Sequence, residues 1–254
     1  MKKIYFCFLL LLSFIVSTHA QYRYGIEGGM NMSYTAVNPE QGVPFKTSML
    51  IAYRAGGLLD FAISDKIGLQ VGLYYTVLGY KYSYSQTIGS GSVSSSVSDN
   101  ATVKENFLRL PINVLFKRPL GSGTLFINVG PFVGYGLNGT VSGKLHSSVS
   151  NGSQTQNSDS SYKSNISYTN AGGQAIDYGL NAGIGYELPI GLFIRAGYEL
   201  SVSAISAVDG FGTQTNNCFN ISLGFLLVHR AKERHISFNP QSKHHTYNHL
   251  VWPQ

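Results

Sequence analysis

The segment from Glu105 to Asn138 constrains the fold of this chain more strongly than any other stretch. Large apolar side chains occupy alternate positions on both sides of a tight turn at Pro119–Gly123. Such alternation predicts two β-strands, each with one apolar and one polar face. Each strand is longer than the roughly five or six residues usual in soluble sheets and matches the roughly 9–11 residues that cross a membrane at a tilt. The segment therefore predicts a hairpin of a membrane β-barrel, with its apolar set at Leu108, Leu110, Ile112, Val114, Phe116, Leu125, Ile127, Val129, Val133, Tyr135 and Leu137.

The composition also favours a surface that meets lipid. Of the 254 residues, 43% are hydrophobic and only 12% are charged, whereas soluble domains carry about 25% charged residues. The formal net charge of +6 comes mainly from Lys2, Lys3 and the basic segment 229–254. The strand region is therefore close to neutral, and the charge gives no reason to expect a nucleic-acid partner.

The first 20 residues have the organisation of a secretory signal peptide. Lys2 and Lys3 form a basic start, Ile4–Val16 is an apolar core, and Ala20 is a small residue suited to cleavage. We therefore expect Sec-type export and a mature chain that starts near Gln21. One cysteine, Cys218, would then remain, so no intramolecular disulfide is expected.

Alternation continues along the chain and predicts eight strands. Short turns alternate with long polar loops between them, which is typical of outer-membrane barrels with tight periplasmic turns and longer external loops. The Ser-rich segments Gln86–Asn100 and Lys144–Gly173 are predicted as loops. The predicted strands are Tyr22–Ser33, Leu50–Ile63, Ile67–Ser85, the two halves of Glu105–Asn138, Ala175–Leu188, Leu192–Val202 and Cys218–Val228.

These observations predict an all-β fold, namely an eight-stranded antiparallel up-and-down transmembrane β-barrel in the bacterial outer membrane. The domain organisation would be a signal peptide at 1–20, the barrel at 21–228 and a basic, disordered periplasmic tail at 229–254. The tail lacks apolar periodicity, so it cannot bury enough surface to offset its ordering entropy.

The polar faces of the predicted strands carry charges of both signs. An eight-stranded barrel has an interior that side chains just fill, and buried charges persist when they are paired. The pattern therefore favours a structural lumen network that plugs the barrel over a polar path or an acid–base pair. Its expected members are Arg23, Glu27, Arg54, Asp60, Glu105, Arg109, Asp177, Glu187, Arg195 and Glu199.

Two other motifs and the distribution of histidines indicate no further chemistry. The Gly134–Gly139 segment fits the dinucleotide pattern G-x-G-x-x-G, but it lies inside a predicted strand and no helix is predicted after it. His244, His245 and His249 have metal-ligand spacing without supporting carboxylates or cysteines. No histidine of the predicted mature chain lies within a predicted strand, and His229 directly follows the last one, which disfavours a Ser-His-Asp site. We expect no catalytic, cofactor-binding or metal-binding residues.

The chain contains, in order, the segments FLRLPINVLFK, VGPFVGYGLNGT, DYGLNAGIGYEL, GLFIRAGYEL and FNISLGFLL. These segments resemble strands of the PorT-like outer-membrane β-barrel family of the Bacteroidetes. The resemblance covers Gln21–Val228 and implies an eight-stranded outer-membrane barrel. The founding members are linked to protein secretion. This chain departs from the family at Arg109, where relatives often have an acidic residue, and in running on past the last strand.

The sequence thus favours a non-enzymatic outer-membrane barrel that acts as a scaffold, in surface interaction or in secretion-linked assembly. A small-solute pore is the main alternative, and a soluble lipocalin-like carrier is a further one. A lipid-modifying or proteolytic membrane enzyme would need a convergent polar site near the rim. The expected partners are outer-membrane lipid and, if the family's link to secretion applies, other envelope or secretion proteins. No nucleic acid is expected, and the barrel is expected to be a monomer.

Overall fold

The computed structural model describes residues 22–37, 45–168, 175–203 and 214–228. The predicted signal peptide and C-terminal tail lie outside the described residues. No helix in the described part of the chain is long and apolar enough to cross a membrane. The described residues form nine antiparallel strands: β1 (Tyr22–Val37), β2 (Phe45–Ala62), β3 (Ile67–Ser90), β4 (Val93–Leu120), β5 (Gly123–Ser150), β6 (Thr155–Ile166), β7 (Ile176–Glu187), β8 (Leu192–Ser201) and β9 (Gln214–Val228).

The pairing of these strands closes on itself. Strands β1 to β5 pair in chain order, β7 to β9 do the same, and β9 pairs with β1. The second neighbour of β5 changes along its length: residues 124–135 pair with β7, and residues 139–150 pair with β6. Every strand therefore has a hydrogen-bonded neighbour, and the ring encloses a lumen.

Alternation along each strand separates the lumen from the outer face. On β4, Ile112 is 38% exposed whereas its neighbour Asn113 is 3% exposed. On β7, Ile184 is 50% exposed and Asn181 is buried. The outer face of the ring is thus apolar and unpartnered, which suits contact with lipid and disfavours a soluble carrier.

The two ends of the ring differ in height. At the end we call the short-turn end, the connections at 63–66, 121–122 and 188–191 are tight. At the opposite end, β3 to β6 continue as a sheet with hairpin tips at 91–92 and 151–154. We call this part the tall sheet; it comprises residues 45–49, 78–90, 93–106, 138–150 and 155–166.

The tall sheet is the main difference from the sequence prediction, because the Ser-rich segments expected to be loops are largely strands. The described chain has nine strands rather than the predicted eight, and β6 lies within the predicted loop Lys144–Gly173. Eleven of the twelve residues of β6 are exposed. Since neither face of β6 is buried, its sequence has no apolar alternation from which a strand could be predicted.

A β-bulge interrupts the pairing of β2 and β3 between Met49 and Arg54. Two buried side chains of β1 satisfy backbone groups there. Ser33 donates through Oγ to the carbonyl of Gly79 at 2.8 Å, and Asn31 donates through Nδ2 to the carbonyl of Val77 at 3.3 Å. These contacts satisfy acceptors that the irregular ladder leaves available.

Gly79 lies in this bulge with φ +139°, a region that L side chains rarely adopt. A Cβ placed on Gly79 would lie 2.0 Å from the carbonyl oxygen of Val103 on β4. Both the backbone conformation and the close approach of β4 therefore require glycine at this position.

Aromatic rings lie over glycines inside the ring. The nearest ring atom of Phe126 would be 2.3 Å from a Cβ on Gly185, and that of Phe193 would be 2.2 Å from a Cβ on Gly224. Tyr168 covers Gly136 in the same way at 2.8 Å. The glycines on the lumen face therefore make room for large rings and allow a narrow lumen to be filled.

Candidate functional site

The inward side chains of β4 pass through successive layers of the lumen. From the short-turn end these layers contain a charged group around Lys117, an apolar cluster around Leu115, an ion-pair network around Arg109, and a second apolar cluster around Phe107. The first cluster consists of Leu58, Leu115, Phe126, Phe193 and Leu226. The second consists of Leu78, Tyr80, Tyr82, Ala101, Val103, Phe107, Ile166, Tyr168 and Cys218.

Arg109 is at the centre of the ion-pair network. Its guanidinium forms ion pairs with the carboxylates of Asp177 and Glu199, and all three side chains are buried. The second oxygen of Glu199 lies 2.5 Å from Nη1 of Arg54. Asp177 also accepts a hydrogen bond from the Ser203 hydroxyl at 2.7 Å. Four strands, β2, β4, β7 and β8, are thereby linked through their side chains.

A second part of the network surrounds Glu27. This buried carboxylate accepts hydrogen bonds from the hydroxyls of Tyr74 at 2.7 Å and Ser222 at 2.6 Å. Arg195 lies 3.6 Å from Glu27 and donates to Oε1 of Gln70 at 2.6 Å. Tyr74, Ser222 and Gln70 occupy inward positions of their strands, so strand parity could have identified them as members.

A third group lies at the short-turn end. Arg23 forms ion pairs with both Asp60 and Glu187, and Nζ of Lys117 lies 2.9 Å from Asp60. Lys117 was not among the predicted members of the network, although it has the same strand parity as Arg109 on β4. Its partner Asp60 is 57 residues away in the chain, so the pairing depends on strand register rather than on a local motif.

Glu105 differs from the other predicted members because it forms no ion pair within the described residues. It accepts hydrogen bonds from Tyr168 Oη and from Asn216 Nδ2, both at 2.9 Å. Its outward neighbours Lys104 and Asn106 are polar, so Glu105 lies beyond the apolar band that begins at Leu108. Burial raises the pKa of Glu105 above its ordinary value of 4.5.

The lumen leaves little open space. The cavity beside the ion-pair network has a volume of about 10 Å³, which is about the space that one water molecule needs. Its walls include Arg54, Asn113, Asn128, Arg195, Glu199 and Asn220. The guanidinium of Arg109 also lies 4.5 Å from the ring centre of Phe132, and that of Arg195 lies 5.3 Å from that of Phe193. Paired charges and rings thus fill the cross-section.

The remaining sequence motifs occupy positions without an evident ligand site. The Gly134–Gly139 segment lies inside β5, and Gly134 and Gly136 contact lumen side chains. Cys218 is a buried free thiol. Within the described ranges there is no group of three or more His, Cys, Asp and Glu residues that could hold a metal ion. The tail histidines His244, His245 and His249 lie outside the described residues.

A closed antiparallel ring with an apolar outer face and a polar, filled interior defines an outer-membrane β-barrel protein. A family model described as an outer membrane protein beta-barrel domain matches residues 18–207. The chain therefore belongs to this family of outer-membrane β-barrel proteins. No curated protein matches the chain.

Several solved structures are similar to the chain at low identity. Ail, the attachment invasion locus protein of Yersinia pestis, is 9% identical, with 82% of this chain and 99% of Ail covered and a TM-score of 0.38. The N-terminal β-barrel domain of Pseudomonas aeruginosa OprF is 13% identical, with 82% and 100% covered and a TM-score of 0.28. Neisserial surface protein A is 12% identical, with 80% and 96% covered and a TM-score of 0.31.

Proposed function

We propose that this outer-membrane protein is a non-enzymatic scaffold, whose plugged barrel anchors a polar sheet for interactions outside the cell. The observation that carries the proposal is that buried ion pairs and aromatic rings cross the lumen and leave a cavity of only about 10 Å³ beside the network. A water-filled channel requires a continuous open path, whereas paired charges and aromatic rings occupy the lumen here. The filled lumen therefore favours an anchor over a small-solute pore.

In this proposal eight strands form the transmembrane barrel and β6 belongs to the external sheet. Strands β1 to β5 and β7 to β9 all carry exposed apolar residues on the outer face. Strand β6 pairs with residues 139–150 of β5, beyond the part of β5 that pairs with β7. Its sequence, TQNSDSSYKSNI, is too polar for contact with lipid.

The proposed orientation puts the tall sheet outside the cell and the short-turn end in the periplasm. Outer-membrane barrels have short periplasmic turns and longer external segments. Sec-type export by the predicted signal peptide agrees with this orientation. The partners of the external sheet would be envelope or secretion proteins, because the chain resembles the PorT-like family, and the barrel itself would be a monomer.

Conductance of the purified protein in a planar lipid bilayer tests the proposal. We expect no steady open current, with an open porin in the same bilayer as the positive control. Steady open currents would favour the pore instead. Secretion of surface proteins in a deletion strain, compared with the complemented strain, tests the link to secretion separately.

A further inference from the structure

The outward face of the tall sheet carries five lysines on three consecutive cross-strand rungs. The first rung runs through Lys46, Ser83, Asn100, Lys144 and Ser161. The second runs through Ser48, Lys81, Thr102, Ser142 and Lys163. The third runs through Gly79, Lys104, Thr140 and Asn165. We call Lys46, Lys81, Lys104, Lys144 and Lys163 the lysine belt.

All five lysines are exposed, and strand pairing puts them on one face of the tall sheet. Directly paired residues share a face of the sheet, and the flanks of Lys81 on β3 and Lys104 on β4 show that this face points away from the lumen. Tyr80 and Tyr82 on either side of Lys81 are buried, as are Val103 and Glu105 on either side of Lys104. The belt therefore continues the outer face of the ring and does not belong to the lumen network.

The charged side chains on these rungs are all positive. Their other members are neutral, mostly hydroxyl or amide side chains, and no acidic residue occupies any of the paired positions. The belt lysines form no ion pair with other described residues. Among the described residues, the outward carboxylate nearest in strand pairing is that of Asp159, which lies one rung further from the apolar band and 2.6 Å from Nδ1 of His146. Five of the seven lysines in the described part of the chain are thus concentrated on one surface, and no carboxylate shares their rungs.

The belt lies just above the lipid-facing surface. Leu108 pairs with Tyr75 and Tyr135 on the neighbouring strands, and this rung has the outward tyrosines typical of a membrane interface. Only the rung of Asn106 and Asn138 separates it from Lys104. At about 3.4 Å per residue and a tilt of about 40°, the belt spans roughly 10–20 Å above the tyrosine rung.

We propose that the lysine belt binds phosphorylated glycolipids of the leaflet that surrounds the tall end of the barrel. Lysine side chains extend along a surface towards the membrane interface, so Lys104 reaches the level of lipid headgroups. The upper rungs lie above a phospholipid headgroup, which occupies only about 5–8 Å. A sugar headgroup with several phosphates spans the whole belt, and the hydroxyl side chains between the lysines match its polar groups.

The same surface fits a soluble partner less well. The belt continues the lipid-facing band on the same strands, so a soluble acidic protein would have to displace headgroups to reach Lys104. A lipid whose acyl chains cover the apolar residues below the belt can contact the lysines with its headgroup, and no other molecule has to be displaced. This continuity supports a lipid as the occupant.

The test uses the full chain in detergent, titrated with fluorescent rough lipopolysaccharide in mixed micelles and followed by fluorescence anisotropy. The matched variants each replace two exposed cations. One carries Lys81→Gln and Lys104→Gln in the belt, and the other carries Lys66→Gln and Arg118→Gln at the short-turn end. We expect the belt variant to lose affinity by about fivefold for each lysine replaced, and the short-turn variant to bind as the native protein does. Retained heat-modifiability on a gel shows that each variant is folded.

Three further binding measurements identify the class of ligand. Dephosphorylated lipopolysaccharide should bind weakly, phosphatidylglycerol should bind less tightly than the glycolipid, and inorganic phosphate at equal phosphate concentration should not compete. Equal affinities of the two double variants would overturn the proposal, as would binding that does not depend on the phosphates of the glycolipid. Full competition by inorganic phosphate would also overturn it, since the site would then recognise the free anion.

Discussion

Arg109 on β4 and Glu199 on β8 form an ion pair across the lumen, with both side chains buried. They are 90 residues apart in the chain, so the pair forms only when the strand ring brings β4 and β8 to face each other. Arg54 binds the other oxygen of Glu199. Closure of the strand ring therefore brings together opposite charges that neutralise each other in the lumen.

Replacing Arg109 with Met should strongly destabilise the barrel. The substitution leaves Asp177 and Glu199 as buried carboxylates that lack this partner, a change that costs about 3–5 kcal/mol in other proteins. The free energy of unfolding in lipid vesicles, measured by urea titration, should fall accordingly. The control Arg118→Met, at an exposed position of the same strand, should change it by less than about 0.5 kcal/mol. Equal effects would mean that the network does not stabilise the fold.

Replacing Ile112 with Arg should cost roughly 2–4 kcal/mol, because its side chain faces the middle of the apolar band. The matched control is Asn106→Arg, which makes the same change on the same face of β4 but above the tyrosine rung. The control should cost about 1 kcal/mol or less. Urea titration in vesicles measures both, and similar losses would refute the assignment of a lipid-facing band.

Replacing Gly79 with Ala should destabilise the bulge by at least 1–3 kcal/mol, since the backbone at φ +139° is strained for alanine and the Cβ would lie 2.0 Å from the Val103 carbonyl oxygen. Gly89→Ala is the control on the same strand, because its Cβ would meet its nearest neighbour at 3.5 Å. Thermal unfolding followed by gel mobility compares the two. A stable Gly79→Ala protein would show that the bulge adapts.

Glu105→Gln should flatten the pH dependence of stability. Because the pKa of Glu105 is higher in the folded chain than its ordinary value of 4.5, the folded state binds more protons than the unfolded state just above pH 4.5. The stability contributed by the protonated carboxyl is therefore present below pH 4.5 and decreases as the pH rises through the folded-state pKa. Unfolding free energies from pH 4 to pH 8 should decline more steeply for the native protein than for the variant. The opposite order of slopes would contradict this assignment.

Cysteine labelling on intact cells tests the orientation. Ser153→Cys at a tip of the tall sheet should react with a membrane-impermeant maleimide, whereas Ser122→Cys, beside Gly121 in a tight turn, should react only after the outer membrane is opened. Native Cys218 is buried, so the background should be low. Labelling of Ser122→Cys alone on intact cells would invert the topology.

The faces of the strands were predictable from sequence because one side of each transmembrane strand meets lipid. Ile112 and Asn113, one residue apart, lie on opposite faces, as alternation predicts. The tall sheet was not predictable in this way. Its strand β6 is exposed on both faces, so backbone pairing with β5 leaves no apolar period in the sequence.

The candidate site was predictable in its composition but not in its pairing. Sequence parity identifies Arg109 and Asp177 as inward residues, yet their contact depends on the register of strands far apart in the chain. Glu105 was grouped with the ion pairs because it shares their parity. It instead accepts hydrogen bonds from Tyr168 and Asn216, which lie in segments that no local pattern connects to it.

The rings that lie over glycines impose a rule on how the sequence can evolve. A side chain at Gly185 would collide with Phe126, and loss of the Phe126 ring would open a void over Gly185; Gly224 and Phe193 are related in the same way. Substitution of only the glycine or only the aromatic residue would therefore destabilise the barrel. Among descendants of this gene, each glycine and its ring should therefore be inherited or exchanged together, as a correlated pair of positions on different strands.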